Sequence, residues 1–318
     1  MRALVANTDF DWYRFLSADP SIDEVNFWRP SGQRLNALSY GEPLIFKLRK
    51  AQGHHIVGFG LFVAFRPLQV REAWESFGRG NGAATLGEMW SRISKLALRT
   101  SSAPFDPLHR IGAILLASPV FFPQGMWVDA PGDWANQIVA GKGYDTTVGE
   151  GRRIWRDCLQ RAAHVAPALL IDPGAPAPAT TADPAARYGV DRLVRHRLGQ
   201  ATFRVAVEDA YGIACAVTNE HSRPALEAAH IQPYTEGGPH EIPNGLLLRA
   251  DLHRLFDAGY VSVTPDLQFR VSDRLRADFS NGRSYYPLDR RPIATPTDAR
   301  FAPDRERLAL HFETRFLR

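Results

Sequence analysis

Residues 226–260, LEAAHIQPYTEGGPHEIPNGLLLRADLHRLFDAGY, decide how this chain is read. The stretch opens as an apolar, strand-like run that carries His230 and stops at Pro233. A Gly/Pro-rich excursion through Gly237, Gly238 and Pro239 leads to Asn244-Gly245, a pair that is first of all a turn signal. A short helix follows, in which His253 and Asp257 stand four residues apart and share a face. Leu252, Leu255 and Phe256 supply its buried side, and Gly259 falls where a helix end favours a left-handed residue. A lone histidine on an apolar strand is most often structural. The ordered set of strand histidine, loop asparagine and helical histidine is far more specific, because it gathers a base and a metal ligand in one small unit. An imidazole titrates near neutral pH and takes a proton from water. An ion held by few protein groups keeps positions open for other ligands.

The stretch resembles the HNH, or ββα-metal, nuclease motif in its zinc-free subfamily. Members of that subfamily read Ala-Ala-His-Ile-x-Pro, then Asn-Gly, then Leu-His-x-Leu-Phe-Asp-x-Gly, and the same residues stand here from Ala228 to Gly259. The resemblance implies three catalytic positions, His230, Asn244 and His253. His230 would be the general base, and His253 would bind a divalent ion, Mg²⁺ or Mn²⁺, with Asp257 as a second ligand. Asn244 would either fix the active-site loop or reach the metal. One departure stands out: many HNH nucleases carry an Asp or His ligand immediately before the base, where this chain has Ala229. The ion would then rest on His253, Asp257, substrate oxygens and water. Glu227, on the strand face of Ala229, or His230 itself are the alternatives. Cys215-Ala-Val-Thr218 lies where zinc-stapled relatives carry a Cys-x-x-Cys knuckle, and with the second cysteine missing no structural zinc is expected.

Upstream, residues 190–211 read as a helix, and its RLGQATFR segment resembles the helix that precedes the catalytic element in this subfamily. Arg197 and Arg204 are its candidate DNA-phosphate contacts, which would position DNA without reading sequence; a solvated helix face is the equal alternative. Downstream, a hairpin around Pro265-Asp266 and a closing helix over 305–316 are expected. Residues 167–187, PALLIDPGAPAPATTADPAAR, are dominated by alanine, proline and threonine and read as a semi-rigid linker. The expected organisation is therefore a first domain at 1–166, the linker, and a nuclease domain at 188–318.

The first domain reads as a mixed unit. Strands are expected at 1–7, 44–48, 56–65 and 111–118, and helices at 9–16, 71–77, 86–98 and 151–163. Gly58 and Gly60 interrupt a strand, where bulges and tight curvature are common. The run NFWRP (26–30), then Gly41-Glu42-Pro43 with LIFKLR (44–49), then HHIVGFGLF (54–62), is similar to the start of PUA-superfamily modules of the EVE, ASCH, YTH and SRA-like kind. Those modules bind RNA or flip a modified base into an aromatic cage. The resemblance implies a curved β-barrel with helices and a base pocket walled by Trp28, with Phe27, Trp12, Trp127 and Trp134 as further candidates. Asn81 is the candidate for an edge hydrogen bond. Packing in the barrel core is the competing role for each aromatic ring, and a plain turn the competing role for Asn81.

At 318 residues the chain can form two cores. Its net charge of +4 permits a nucleic-acid partner. Lysine occurs only at Lys47, Lys50, Lys95 and Lys142, so arginine carries most of the positive charge; phosphate recognition and coding bias account for this equally well. Two cysteines, Cys158 and Cys215, offer no disulfide framework and fit a reducing, cytoplasmic setting. No stretch has the composition of a membrane span. Taken together, the HNH and PUA-superfamily resemblances imply that the α+β chain is a modification-dependent DNA endonuclease, a homodimer acting on double-stranded DNA that carries a modified base. Two rivals stay open: an HNH nuclease with a regulatory or protein-binding first domain, and a non-catalytic nucleic-acid reader with a decayed metal site.

Overall fold

The computed structural model describes residues 1–32, 38–97, 106, 108–138, 140–167 and 199–318. The described chain divides into two compact units, Met1–Thr202 and Phe203–Arg318. All but the first residue of the expected linker, and the expected helix before residue 199, lie outside the described residues.

The first unit is built on one mixed sheet. Its strands are β1 (Arg2–Thr8), β2 (Glu24–Arg29), β3 (Pro43–Leu48), β4 (His55–Gln69), β5 (Arg110–Phe121), β6 (Val128–Asp129) and β7 (Gly141–Asp145). They run in the order β2-β5-β4-β3-β1-β7, with β6 paired to β4. β1 lies parallel to β3, and the other pairings are antiparallel. Side chains alternate between the two faces of a strand, and here both faces are apolar. Leu4, Leu44 and Phe46 enter one core with Trp12 and Tyr13 of α1 (Phe10–Ser17). Val5 and Ile45 enter the other, with Trp155 and Cys158 of α4 (Gly149–Val165). A sheet covered on both sides reads as nearly continuous hydrophobic runs, as LIFKL and IGAILLAS do. Helices α2 (Val70–Phe77) and α3 (Leu86–Ala97) complete the unit.

The glycine interruption of β4 does what its residues forecast. A Cβ on Gly58 would stand 2.1 Å from the Val120 carbonyl oxygen, so only glycine fits. The β4–β5 register shifts after Phe59 and again after Phe62, and bulges of this kind increase local twist. Strand β7, GKGYD, has no apolar alternation to mark it in the sequence; its backbone pairing to β1 alone makes it a strand.

The second unit contains α5 (Gln200–Ala210) from Phe203 onward, β8 (Leu226–His230), β9 (Gly245–Arg249), α6 (Ala250–Asp257), β10 (Val261–Val263), β11 (Phe269–Val271), α7 (Arg274–Phe279) and α8 (Arg305–Thr314). β8 and β9 are antiparallel, with His230 opposite Gly245, and α6 packs on both. This is the expected ββα element. Asn244-Gly245 is not a hairpin turn: Asn244 ends a short 3-10 segment, and Gly245 begins β9 in extended conformation at φ −122°. The left-handed residue expected after α6 is present, with Gly259 at φ +78° and a Cβ there 2.2 Å from the Arg315 carbonyl oxygen. Among the described residues no helix is long and apolar enough to cross a membrane.

Candidate active site

The helix α6 buries Leu252 and Phe256, which leaves His253 and Asp257 on its other side. His253 Nδ1 lies 2.7 Å from Glu227 Oε2 on β8, and His253 Nε2 lies 3.3 Å from Asp257 Oδ2. Both imidazole nitrogens therefore face carboxylates. Glu227 holds one nitrogen as the outer carboxylate of a carboxylate–histidine–metal arrangement would, and Nε2 with Asp257 is the candidate ligand pair. Adjacent ligands of an octahedral ion with bonds near 2.1 Å stand roughly 3 Å apart, so this pair fits one small divalent ion. Among the described residues no group of three or more His, Cys, Asp or Glu side chains is arranged to hold a metal. The donor set fits a site that substrate oxygens and water must complete.

Asn244 is fully buried. Its Oδ1 accepts the Gln232 N–H at 2.9 Å, and its Nδ2 donates to the Gln232 and Pro239 carbonyls, each at 2.9 Å. Of its two expected roles, these bonds are those of a loop clamp. The clamp draws the Gly/Pro excursion back over the end of β8. That places His240, which the sequence did not single out, with its Nδ1 2.9 Å from His230 Nε2. The His230 ring also stacks on Phe203 of α5, with centroids 4.0 Å apart and planes 11° from parallel. The histidine in a Gly/Pro loop beside an acidic residue was the available signal, but no periodicity points from a loop to its target.

Burial lowers the His230 imidazole from its usual value to about 4, and the neighbouring His240 and His253 add to the fall. Its ring is therefore neutral near pH 7, with a lone pair available, as a general base requires. His311 on α8 is buried and likewise lowered to about 4, chiefly by burial. Its Nδ1 lies 2.9 Å from Ser262 Oγ, and its ring stacks on Phe256 at 3.8 Å.

These depressed values have a sign. Below about 6.5 the unfolded chain takes up protons at both histidines, and the native chain does so only near pH 4. Their contribution to stability is thus complete above pH 6.5 and is lost as pH falls toward 4. Thermal melts are expected to drop steeply across that window, with a shallower drop for His311→Gln. Equal slopes for the two proteins would exclude His311 as a source of the acid sensitivity.

Arg204 bonds through Nε to the buried Glu208 at 3.1 Å, and Arg223 bonds the other oxygen of that carboxylate at 3.0 Å. The part of the Arg204 side chain that remains exposed is what phosphate could contact. Arg197, its expected companion, lies outside the described residues.

In the first unit, a cavity of about 830 Å³ opens beside β1 and β2. Trp12, Phe27 and Trp28 line it, together with Asp9, Arg49 and His109. That volume is within the ordinary range for small-ligand pockets. Trp12 and Phe27 are tied into an aromatic cluster: Trp12 meets Phe27 and Phe46 edge-on at 5.4 and 5.1 Å, and Phe27 stacks on Phe46 at 6.0 Å. Trp28 is only partly buried, and its indole N–H donates to the Asn81 carbonyl at 3.0 Å.

Three other expected pocket residues stand elsewhere. Asn81 is buried off the cavity, its side chain bonded to Asn26, Ala73 and Gly78, so it supplies no edge bond there. Trp127 donates to Tyr13 Oη and the Phe122 carbonyl. Trp134 lies under the Lys47 ammonium at 4.5 Å. The sequence signal for all three was residue type alone, which does not separate a pocket wall from a core brace.

Residues 215–264 match the model of the HNH endonuclease family, so the segment that carries His230, Asn244 and His253 is an HNH endonuclease domain. No curated protein matches the chain. Solved structures that resemble it at low identity include the following two. One is a mutant ASCH protein from Zymomonas mobilis, 12% identical, with a TM-score of 0.33 over 48% of this chain and 96% of that one. The other is the modification-dependent restriction endonuclease TagI, 15% identical, with a TM-score of 0.26 over 97% of this chain and 79% of that one.

Proposed function

We propose that the chain is a modification-dependent DNA endonuclease: residues 1–166 read a modified base, and residues 188–318 hydrolyse a phosphodiester on foreign DNA. The observation that carries the nuclease half is geometric: the His230 ring is stacked on Phe203 and bonded to His240 at the end of β8, the strand on which the helix bearing the His253–Asp257 pair packs. In this reading His230 accepts a proton from water, whose oxygen attacks phosphorus. His253 Nε2 and Asp257 would hold a divalent ion, Mg²⁺ or Mn²⁺, which when bound supplies positive charge at the leaving oxygen. Glu227 orients His253 through Nδ1, and Asn244 keeps the loop in place. Ala229 thus loses a direct ligand while Glu227, two residues earlier, keeps a carboxylate near the helical histidine.

The reader half is supported by the aromatic-lined cavity, since a flipped base needs flat apolar walls and a few polar partners. The division of labour is physical: a pocket distinguishes bases, while a nuclease centre contacts mainly the backbone, which carries no sequence information. One HNH centre handles one strand at a time, so double-strand cleavage calls for a homodimer or two binding events.

The test is cleavage of DNA with 5-methylated, hydroxymethylated or glucosylated cytosine beside unmodified DNA of the same sequence, with Mg²⁺, Mn²⁺ or EDTA. Cutting confined to one modified DNA, and abolished by EDTA, is the expected result. Equal cutting of every DNA would remove the reader half and leave a nuclease with a regulatory first domain. No cutting with any metal would favour a non-catalytic reader.

A further inference from the structure

His240 lies in the excursion between β8 and β9, and what it adds rests on the nuclease reading of the same site. Its Nδ1 is 2.9 Å from His230 Nε2. Two neutral imidazoles at that distance share one N–H, so one ring donates and the other accepts. The direction matters. If His240 donated, His230 would carry its single proton on Nδ1 and have no lone pair left for water. If His230 donates from Nε2, its Nδ1 is the basic nitrogen.

We propose that His240 is the acceptor, a positioning residue that holds His230 in the tautomer whose Nδ1 is the base. The His240 ring is itself held in place. Tyr234 stacks on it at 4.4 Å, with planes 18° apart. The Asn244 amide bonds the carbonyl of the preceding Pro239. Glu241, the next residue, faces Arg307 at 3.9 Å, and Glu236 at the other end of the loop pairs with Arg315.

The proton balance is complete. Water gives one proton to His230 Nδ1 as its oxygen bonds to phosphorus, and the bond from phosphorus to the leaving oxygen breaks. The leaving oxygen keeps the electron pair and is protonated from solvent. His230, now an imidazolium, still directs its Nε2–H at the His240 lone pair, and it returns the added proton to solvent after release. Other proton-relay sites use a carboxylate to orient the base. An imidazole acceptor orients the ring without setting a carboxylate's negative charge beside an anionic phosphodiester.

The experiment has two arms, both on the full chain. In the first, ¹⁵N-histidine spectra of the metal-free protein report which nitrogen of each ring is protonated, with His230 and His240 assigned through their variants. The expected pattern is a protonated Nε2 and an unprotonated Nδ1 at His230. In the second, cleavage of modified DNA with Mn²⁺ compares His240→Ala with His240→Asn, whose Oδ1 keeps an acceptor near the same place. His240→Ala is expected to lose about 10–100-fold in kcat, with KM within about twofold, and His240→Asn to recover most of that loss. A proton on Nδ1 of His230 in the native protein would overturn the proposal. So would native kcat in His240→Ala, or equal losses in both variants accompanied by equal falls in melting temperature. A native protein that cuts no DNA would refute the nuclease reading instead, and the spectra would still decide the tautomer.

Discussion

His230→Ala is expected to lower metal-dependent DNA cleavage by about 10²–10⁴-fold, the usual contribution of a positioned general base. Neither of the other two motif residues can replace it. His253 has both ring nitrogens directed at carboxylates, and Asn244 has its amide bonded to backbone. DNA binding should survive, because the change removes neither a charge nor the His253–Asp257 pair. Loss of the ring also removes its stacking on Phe203 and its bond to His240, so part of any loss of activity could come from a displaced loop. Melting temperature and Mn²⁺ binding measured beside the rate separate the two. A folded, metal-binding variant with more than a tenth of the native rate would exclude His230 as the base.

Trp28→Ala is expected to abolish the preference for modified DNA while leaving metal-dependent cutting intact. Stacking of a base on an aromatic ring is worth about 1–3 kcal/mol, which corresponds to a selectivity loss of about 5- to 150-fold. Trp28 is the pocket aromatic to test. Trp12 is buried against Phe46 and Phe121, and Phe27 stacks on Phe46, so truncating either would damage the core. The Trp28 indole N–H donates to the Asn81 carbonyl. Trp28→Phe loses that bond and keeps a ring. Retained selectivity in Trp28→Phe, lost in Trp28→Ala, identifies a pocket wall. Equal selectivity in native, Phe and Ala proteins would show that this cavity does not read the base.

Much of the active site was legible because its geometry is local. His253 and Asp257 face the same way through helical spacing alone, and their side chains do meet. Glu227 could be named as a helper from strand alternation, although its bond to His253 Nδ1 needed the packing of α6 on β8. Asn244 was legible as a functional position, with two roles left open; its three backbone bonds favour the loop clamp. His240 was invisible, because a long Gly/Pro excursion leaves the return path of a loop undetermined. In the first unit hydrophobic runs mark β1, β3, β4 and β5 as buried strands, and the main helices follow from their own periodicity. Strand β7 carries no such mark, because it owes its form to the β1 edge. The pocket was spread over too many aromatic residues, because Trp127 and Trp134 differ from Trp28 only in what surrounds them.

The amino-acid order by itself thus determined the ββα element, the histidines at its strand end and on its helix, and the main buried strands and helices of the first unit. Each of these depends on spacings of two to four residues, which backbone geometry converts directly into shared faces. Only tertiary structure decided which ring stands against His230, how far burial lowers its basicity, and which tryptophans line the cavity. Those properties arise from solvent exclusion and from contacts between residues far apart in the chain, and no local spacing encodes them.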